Sequence, residues 1–403
     1  MTVDVKKSEY HMELEHTYGA HNYHPIPVVI SKAEGVWVWD PEGRKYMDCL
    51  SSYSAVNQGH RHPKIIAAMT EQAGRLTLTS RAFYNDRLGE FLKKLTEFAQ
   101  MEMALPMNTG AEAVETAIKI ARKWGYKKKG VEDNKAEIIT CEENFHGRTT
   151  TIVGFSTDPI AREGFGPSTP GFRIIPYNNI KALEDAITPN TVGFLVEPIQ
   201  GEAGVKVPSP GYLKEAQAVC GKNNVLLMLD EVQTGFCRTG KMFCWMHESA
   251  KPDILMVGKA LGGGVYPVSA ALASKDVMSV IGPGEHGSTF GGNPLACAVA
   301  TAALDILVDE KLGERAEELG VRFRDGLAAL NSDKIGAIRG MGLLNAIDIK
   351  PEAGKARQYT EKMKDLGVLA KETHETTIRF APPLVIEEDQ IDWLVEKIGE
   401  ALA

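Results

Sequence analysis

Short apolar runs recur through the middle of this chain, with helix-sized segments between several of them. They are Glu137 to Thr140, Val192 to Val196, Val225 to Leu229, Ile254 to Val257 and Val268 to Ala273. Each is of strand length and apolar without alternation, the pattern of a strand covered on both faces of a parallel sheet. Segments such as Gly211 to Lys222 supply the crossovers. That order predicts an α/β fold around a mainly parallel sheet.

Before the first of these runs, residues 113–124 set Val114, Ala117, Ile118, Ala121 and Trp124 at three- and four-residue steps, which predicts an amphipathic helix. The two ends of the chain read differently. Residues 23–50 carry Pro25, Pro27, Pro41 and Gly43 among short alternating stretches such as Val36-Trp37-Val38-Trp39, a pattern of turns and small strands. After a helical stretch over about 296–330, strand-like Leu343 to Ile349 and Thr377 to Phe380 lie between helices. At 403 residues the chain exceeds one compact domain. We expect a large domain over 59–309 and a smaller one built from 1–58 and 310–403 together.

A formal net charge of −8 argues against a nucleic-acid backbone as the main partner, which needs a basic face. Trp124-Gly125-Tyr126-Lys127-Lys128-Lys129, the one dense cationic cluster, reads as a solvated helix end. The cysteines (49, 141, 220, 237, 244 and 297) form no CxxC pair, so reduced thiols are expected. Cys237, Cys244 and His247 fit no standard zinc spacing, and no metal is expected. No apolar run reaches transmembrane length. Met1 to Glu15 holds four acids and no Arg, which matches neither a secretory signal nor a transit peptide. A cytoplasmic protein is expected.

The chemistry is expected where strands end in charge. Val225 to Leu229 runs into Asp230-Glu231, Ile254 to Val257 into Gly258-Lys259, and Val192 to Val196 into Glu197-Pro198. Ligands of open α/β sheets bind outside the carboxyl ends of the strands, so these residues should converge on one cleft. A charge straight after a buried strand is costly unless paired or used. A lysine there has a lowered amine pKa and can form a Schiff base with a carbonyl compound. Gly258 and Gly262-Gly263-Gly264 leave room for a flat ligand near the backbone. A Walker loop is excluded at Lys259, since Asp253 holds the first-Gly position and Ala260 follows the lysine. Gly340-Met341-Gly342 begins like a dinucleotide fingerprint but lacks its last Gly. Thr109 and Glu112 match a capping box, which places the N–H groups of Gly110 and Ala111 at the positive end of a helix, ready for a phosphate.

Several longer blocks carry a resemblance: Tyr18 to Pro25, Ser51 to His60, Leu105 to Ala113, Asn144-Phe145-His146-Gly147-Arg148-Thr149, Glu197 to Glu202, Asp230-Glu231-Val232-Gln233-Thr234-Gly235, Gly258 to Gly264, His286 to Pro294 and Ile378 to Pro383. In these the chain resembles the class III aminotransferases of fold type I over nearly its whole length. The tyrosine blocks narrow the likeness to the branch acting on ornithine. The resemblance implies a seven-stranded, mainly parallel sheet with a smaller α+β domain, and pyridoxal phosphate as cofactor. It implies transfer of the δ-amino group of L-ornithine to 2-oxoglutarate, giving glutamate 5-semialdehyde and glutamate. Lys259 would carry the cofactor and shuttle the proton, and Asp230 would pair with the ring nitrogen. Phe145 and Val232 would pack on the two ring faces, Gln233 would reach the ring hydroxyl, and Gly110 and Ala111 would bind the phosphate. Ser288 and Thr289 would complete that cradle from a neighbouring subunit, which implies a homodimer with shared sites. On the substrate side, Arg379 would bind the α-carboxylate of the oxo acid and be masked by Glu202 when ornithine binds. Arg148 would take the distant carboxylate, and Tyr23 and Tyr53 would line the pocket. His146 is given no role, and His60 and His62 are read as structural. The nearest alternatives are an acetylornithine or 4-aminobutyrate aminotransferase of the same class, then a cofactor-binding regulatory module without turnover.

Overall fold

Residues 7–403 are described by the computed structural model, so part of the Met1–Glu15 stretch read for a targeting signal lies outside the described residues. At the centre is a seven-stranded sheet in the order Met103–Met107, Ser269–Ala273, Ile254–Val257, Leu226–Asp230, Thr191–Val196, Glu137–Cys141, Phe172–Ile175. The last five strands are parallel neighbours. Thr191–Val196, Leu226–Asp230, Ile254–Val257 and Ser269–Ala273 are buried at every residue, so their sequences show no polar alternation. Alternate side chains still serve different layers. Leu226 and Met228 pack with the Gly110–Trp124 helix, whereas Leu227 and Leu229 pack with Tyr212–Lys222 and Pro294–Asp309.

The run Val268 to Ala273 corrects one expectation, because Ser269–Ala273 pairs antiparallel to both neighbours. Only residues 258–268 separate it from Ile254–Val257, and part of that segment is the short turn Lys259–Gly262. A parallel return needs a crossover of a dozen or more residues, usually a helix. The outer strands Met103–Met107 and Phe172–Ile175 escaped the reading for related reasons. Pro106 breaks a strand pattern and is tolerated only because its strand is an edge, and Phe172–Ile175 is half exposed.

The remaining strands form two four-stranded sheets. Lys32–Glu34, Trp37–Trp39 and Lys45–Asp48 are extended by Val368–Leu369 from the far end of the chain, with Val368 opposite Met47. Ile335–Met341, Leu344–Ile349, Thr377–Phe380 and Lys371–Thr373 make the other, which holds Arg379 in a buried inner strand. One core cluster runs from the central sheet through Met47 to Ile347 and Phe380. Directly after Asp48 the backbone turns left-handed, with φ of 49°, 47°, 59° and 71° from Ser51 to Ser54. The Asp48 carboxylate accepts the N–H groups of Leu50 and Ser51 at 2.9 Å each, and this anchors the turn that carries Tyr53.

The Trp124–Lys129 cluster is more than a solvated end. Gly125–Lys129 adds a single π turn, and Lys129 Nζ donates to the carbonyls of Thr191 at 2.6 Å and Asn224 at 2.7 Å. Lys129 thus ties the helix end to the sheet. No helix among the described residues is long and apolar enough to cross a membrane.

Candidate active site

Parallel strands that end level with one another deliver their following residues to one place. Ile254–Val257 leads to Lys259, Leu226–Asp230 ends in Asp230, Thr191–Val196 leads to Glu197, and Glu137–Cys141 leads to Phe145 and His146. All of these line one cavity of about 190 Å³, together with Gly110, Ala111, Val232, Gln233 and Glu202. A channel of about 450 Å³ shares Phe145, His146 and Glu202 with it and adds Arg148 and Arg379. Glu231 does not join them, contrary to the expectation for the Asp230-Glu231 pair. Neighbouring side chains of an extended chain point to opposite sides. Glu231 is buried beneath the following loop and accepts the N–H groups of Cys244 at 2.6 Å and Trp245 at 2.8 Å.

Lys259 has φ of +46°, a left-handed conformation that a non-glycine residue adopts at a cost. Burial pulls its amine pKa below the ordinary value, against the opposing charges of Glu202 and Asp230. More of the amine is therefore the neutral nucleophile at neutral pH. Asp230 is 6% exposed, with Oδ1 accepting the Val232 N–H at 3.0 Å and Oδ2 lying 2.7 Å from His146 Nδ1. Glu197 accepts the Phe145 N–H at 2.9 Å. Burial pushes its carboxyl up to about 7; His146 opposes that shift and Asp230 adds to it.

The phosphate end is as the capping box requires. Glu112 Oε2 accepts the Thr109 N–H at 2.7 Å, and Thr109 Oγ1 accepts the Glu112 N–H at 3.2 Å. The N–H groups of Gly110 and Ala111 open the helix and have no intrahelical partner. A Cβ on Gly110 would come within 2.9 Å of Val232 Cγ1, so the close approach of this helix end to the cavity wall needs glycine.

These residues fit pyridoxal phosphate. A lysine of lowered pKa would meet its aldehyde, a buried carboxylate suits its ring nitrogen, Val232 and Phe145 offer walls for its ring, and a helix N-terminus suits its phosphate. Gln233, expected at the ring hydroxyl, lines the same cavity and leaves its amide oxygen without a hydrogen-bond partner. Its Nε2 donates to Glu202 Oε1 at 3.3 Å.

On the substrate side, Glu202 and Arg379 are paired at 2.8 Å. Burial alone would raise the Glu202 carboxyl; Arg379, then Lys259 and Gln233, outweigh it and hold the pKa below the ordinary value. Arg379 is 3% exposed, also donates to the Gly201 carbonyl at 3.0 Å, and leaves Nε without a partner among the described residues. Its guanidinium lies 5.2 Å from the centre of the Tyr53 ring. Arg148 is exposed at the channel, its guanidinium 5.7 Å from the Phe145 ring centre. Tyr23, 73% exposed, lies outside the cavity and the channel. Ser288 and Thr289 lie elsewhere, on a separate open cavity with Arg81 and Lys119, and Ser288 Oγ accepts from Asn108 Nδ2 at 2.8 Å. His60 and His62 bond to different carboxylates, Asp48 at 2.8 Å and Glu310 at 3.0 Å. His146 is the site residue that the sequence left unassigned. Its place beside Phe145 after a strand was visible, but not which residue its ring would meet.

The whole chain is also similar to known proteins. Residues 18–402 match the family described as aminotransferase class-III. An ornithine aminotransferase of Brevibacillus brevis is 59% identical over 398 residues, 99% of either chain. That of Bacillus subtilis is 54% identical over 402 residues, covering 100% of this chain and 99% of the relative. The crystal structure of the ornithine aminotransferase from Toxoplasma gondii superposes with a TM-score of 0.97 at 48% identity, covering 98% of this chain and 95% of that one. A structure of an acetylornithine aminotransferase from Elizabethkingia anophelis gives 0.90 at 54% identity, covering 98% and 99%.

Proposed function

This chain belongs to the class-III aminotransferases, and from that premise we propose that it is an ornithine 5-aminotransferase whose chemistry is centred on Lys259. It moves the δ-amino group of L-ornithine to 2-oxoglutarate, giving glutamate 5-semialdehyde, which cyclises to pyrroline-5-carboxylate, and glutamate. Pyridoxal phosphate, when bound, supplies an aldehyde for the amine and a ring that draws electrons from the carbon bearing it. Lys259 would hold the aldehyde; its free Nζ is the base that takes the proton from that carbon. Asp230, at the end of its strand, would face the ring nitrogen with its carboxylate. Phe145 and Val232 flatten the space between them, and Gly110 and Ala111 offer N–H groups to the phosphate.

The Glu202–Arg379 pair carries the substrate assignment. An arginine free near the reacting carbon would draw in any amino acid by its α-carboxylate and present the wrong amine. With Glu202 seated on it, that docking point is closed and a terminal amine enters first. Arg148, out along the channel, suits the distant carboxylate, and Tyr53 stands beside Arg379. The oxo acid of the second half-reaction would displace Glu202 and pair with Arg379, whose unpartnered Nε is a spare donor. Glu202→Ala should therefore gain activity toward glutamate as amino donor by about tenfold or more in kcat/KM, and lose little with ornithine. Unchanged selectivity would remove the gate.

The 54% identity to the acetylornithine enzyme favours a second reading at the same site. A panel of ornithine, N-acetylornithine, 4-aminobutyrate and lysine against 2-oxoglutarate decides between them. Faster turnover of N-acetylornithine would displace the ornithine assignment.

We also propose the division into 59–309 and a second domain of 1–58 with 310–403, supported by the pairing of Met47 with Val368. The enzyme is read as cytoplasmic and homodimeric. Its six unpaired cysteines, all buried, support the first. Exposed Phe83, Tyr84 and Phe290 support the second, as does the placing of Ser288 and Thr289 outside their own Lys259 cavity, available to a second copy. Sedimentation at micromolar concentration should give twice the chain mass; a stable active monomer would overturn shared sites.

A further inference from the structure

The left-handed turn from Ser51 to Ser54 has little of its own to hold it. The hydroxyls of Ser51 and Ser54 are buried and meet no hydrogen-bonding group among the described residues. Gln233 Nε2 reaches the Tyr53 carbonyl only at 3.5 Å, a weak contact. What anchors the turn is Asp48, whose Oδ1 accepts the N–H groups of Leu50 and Ser51. Asp48 is 8% exposed, so its second oxygen needs a partner too. That partner is His60, with Nε2 2.8 Å from Oδ2. A carboxylate only accepts, so Nε2 carries the proton and donates it. His60 is fixed independently of the turn: its N–H donates to the Gly35 carbonyl at 2.8 Å, and its carbonyl accepts the Gly35 N–H at 3.1 Å.

We propose that His60 is a positioning residue for substrate selection: by holding the Asp48 carboxylate it fixes the left-handed turn, and with it the place of the Tyr53 ring beside Arg379. The inference rests on the reading of Glu202 and Arg379 as the substrate gate. Tyr53 is half-buried, with its ring centre 5.2 Å from the Arg379 guanidinium, and Arg379 in turn is paired with Glu202. A cation this close to an aromatic face is attracted to it, so a displaced ring unsettles the arginine as well. Lys259 and Asp230 follow other strands, and a loosened turn leaves them in place. The loss should therefore appear in how substrate is seated, not in the chemical step. His62 offers a contrast. It lines the same outer groove as His60, but its Nε2 lies 3.0 Å from Glu310, which follows the Pro294–Asp309 helix and not the turn.

The test measures KM and kcat of the holoenzyme for its preferred amine donor. His60→Leu should raise KM about tenfold, the lower range for losing one hydrogen bond to a charged group, with kcat within about twofold. His60→Gln carries an amide donor out to the same oxygen and should restore KM in large part. His60→Asn, one methylene shorter, should behave like His60→Leu. His62→Leu should lower the thermal midpoint and leave KM within about twofold, since its hydrogen bond does not touch the turn. In a Tyr53→Ala background, His60→Leu should add less than about twofold, because groups acting through one another are not additive. An unchanged KM in His60→Leu would overturn the proposal, as would an equal rise in His62→Leu or an equal effect with and without Tyr53. If His60→Leu fails to fold, the shorter and longer amides decide: a KM well above that of His60→Gln in His60→Asn supports the proposal, and equal values overturn it. Unchanged selectivity in Glu202→Ala would remove the gate reading instead, and the comparison with and without Tyr53 would still decide the role of His60.

Discussion

Lys259→Ala is expected to abolish the visible absorption band of the purified enzyme and to cut kcat on the order of 10⁴-fold or more. Two proposed roles vanish together, the amine that would hold the aldehyde and the base that would move the proton. A general base alone contributes about 10² to 10⁴. The strand and the cavity should survive, since the side chain ends in open space and burial already disfavours its charge. Added alkylamine should restore part of the rate, because the base is missing and the site that positioned it remains. A variant that keeps the band, or loses less than tenfold in rate, would mean that another residue carries the chemistry.

Asp230→Asn should have the next largest effect and a different signature. The side chain keeps its shape but loses the carboxylate proposed to face the ring nitrogen. We expect the band to persist and kcat to fall by about 10³-fold, comparable with losing a preorganised electrostatic group elsewhere. KM for ornithine should move far less, because Asp230 lines the inner cavity, whereas Arg148 and Arg379 line the adjoining channel. Single-turnover absorbance would locate the loss in proton abstraction. Equal losses in kcat and in substrate binding would argue that Asp230 only shapes the cavity. Together the two variants separate attachment from electron withdrawal.

Residues fixed by local pattern were readable from the sequence. The capping box at Thr109 and Glu112, the apolar strands and the strand-end Lys259 and Asp230 stand where pattern put them, because burial on both faces leaves a run no polar residue to hide behind. What depends on pairing was not readable. The antiparallel sense of Ser269–Ala273 follows from a loop too short for a crossover. Met103–Met107 was concealed by Pro106, whose tolerance at a sheet edge is a property of its neighbours. The sequence pairs Glu231 with Asp230, and only the alternation of an extended backbone separates them. His146 shows the limit most plainly, since its hydrogen bond goes to a carboxylate 84 positions further along the chain. Substrate assignments such as Glu202 with Arg379 came from likeness to a family, and no spacing rule joins residues so far apart.

The turn that carries Tyr53 is not held by its own preferences. Four consecutive L-residues wound the unfavoured way lie roughly 1–2 kcal/mol each above the usual hand, so the segment released from its surroundings would rewind. Asp48, the neighbouring strand and the lobe behind it impose that shape from outside. The aromatic beside Arg379 therefore depends on how well the two ends of the chain are joined, where Val368 pairs with Met47 just before this turn.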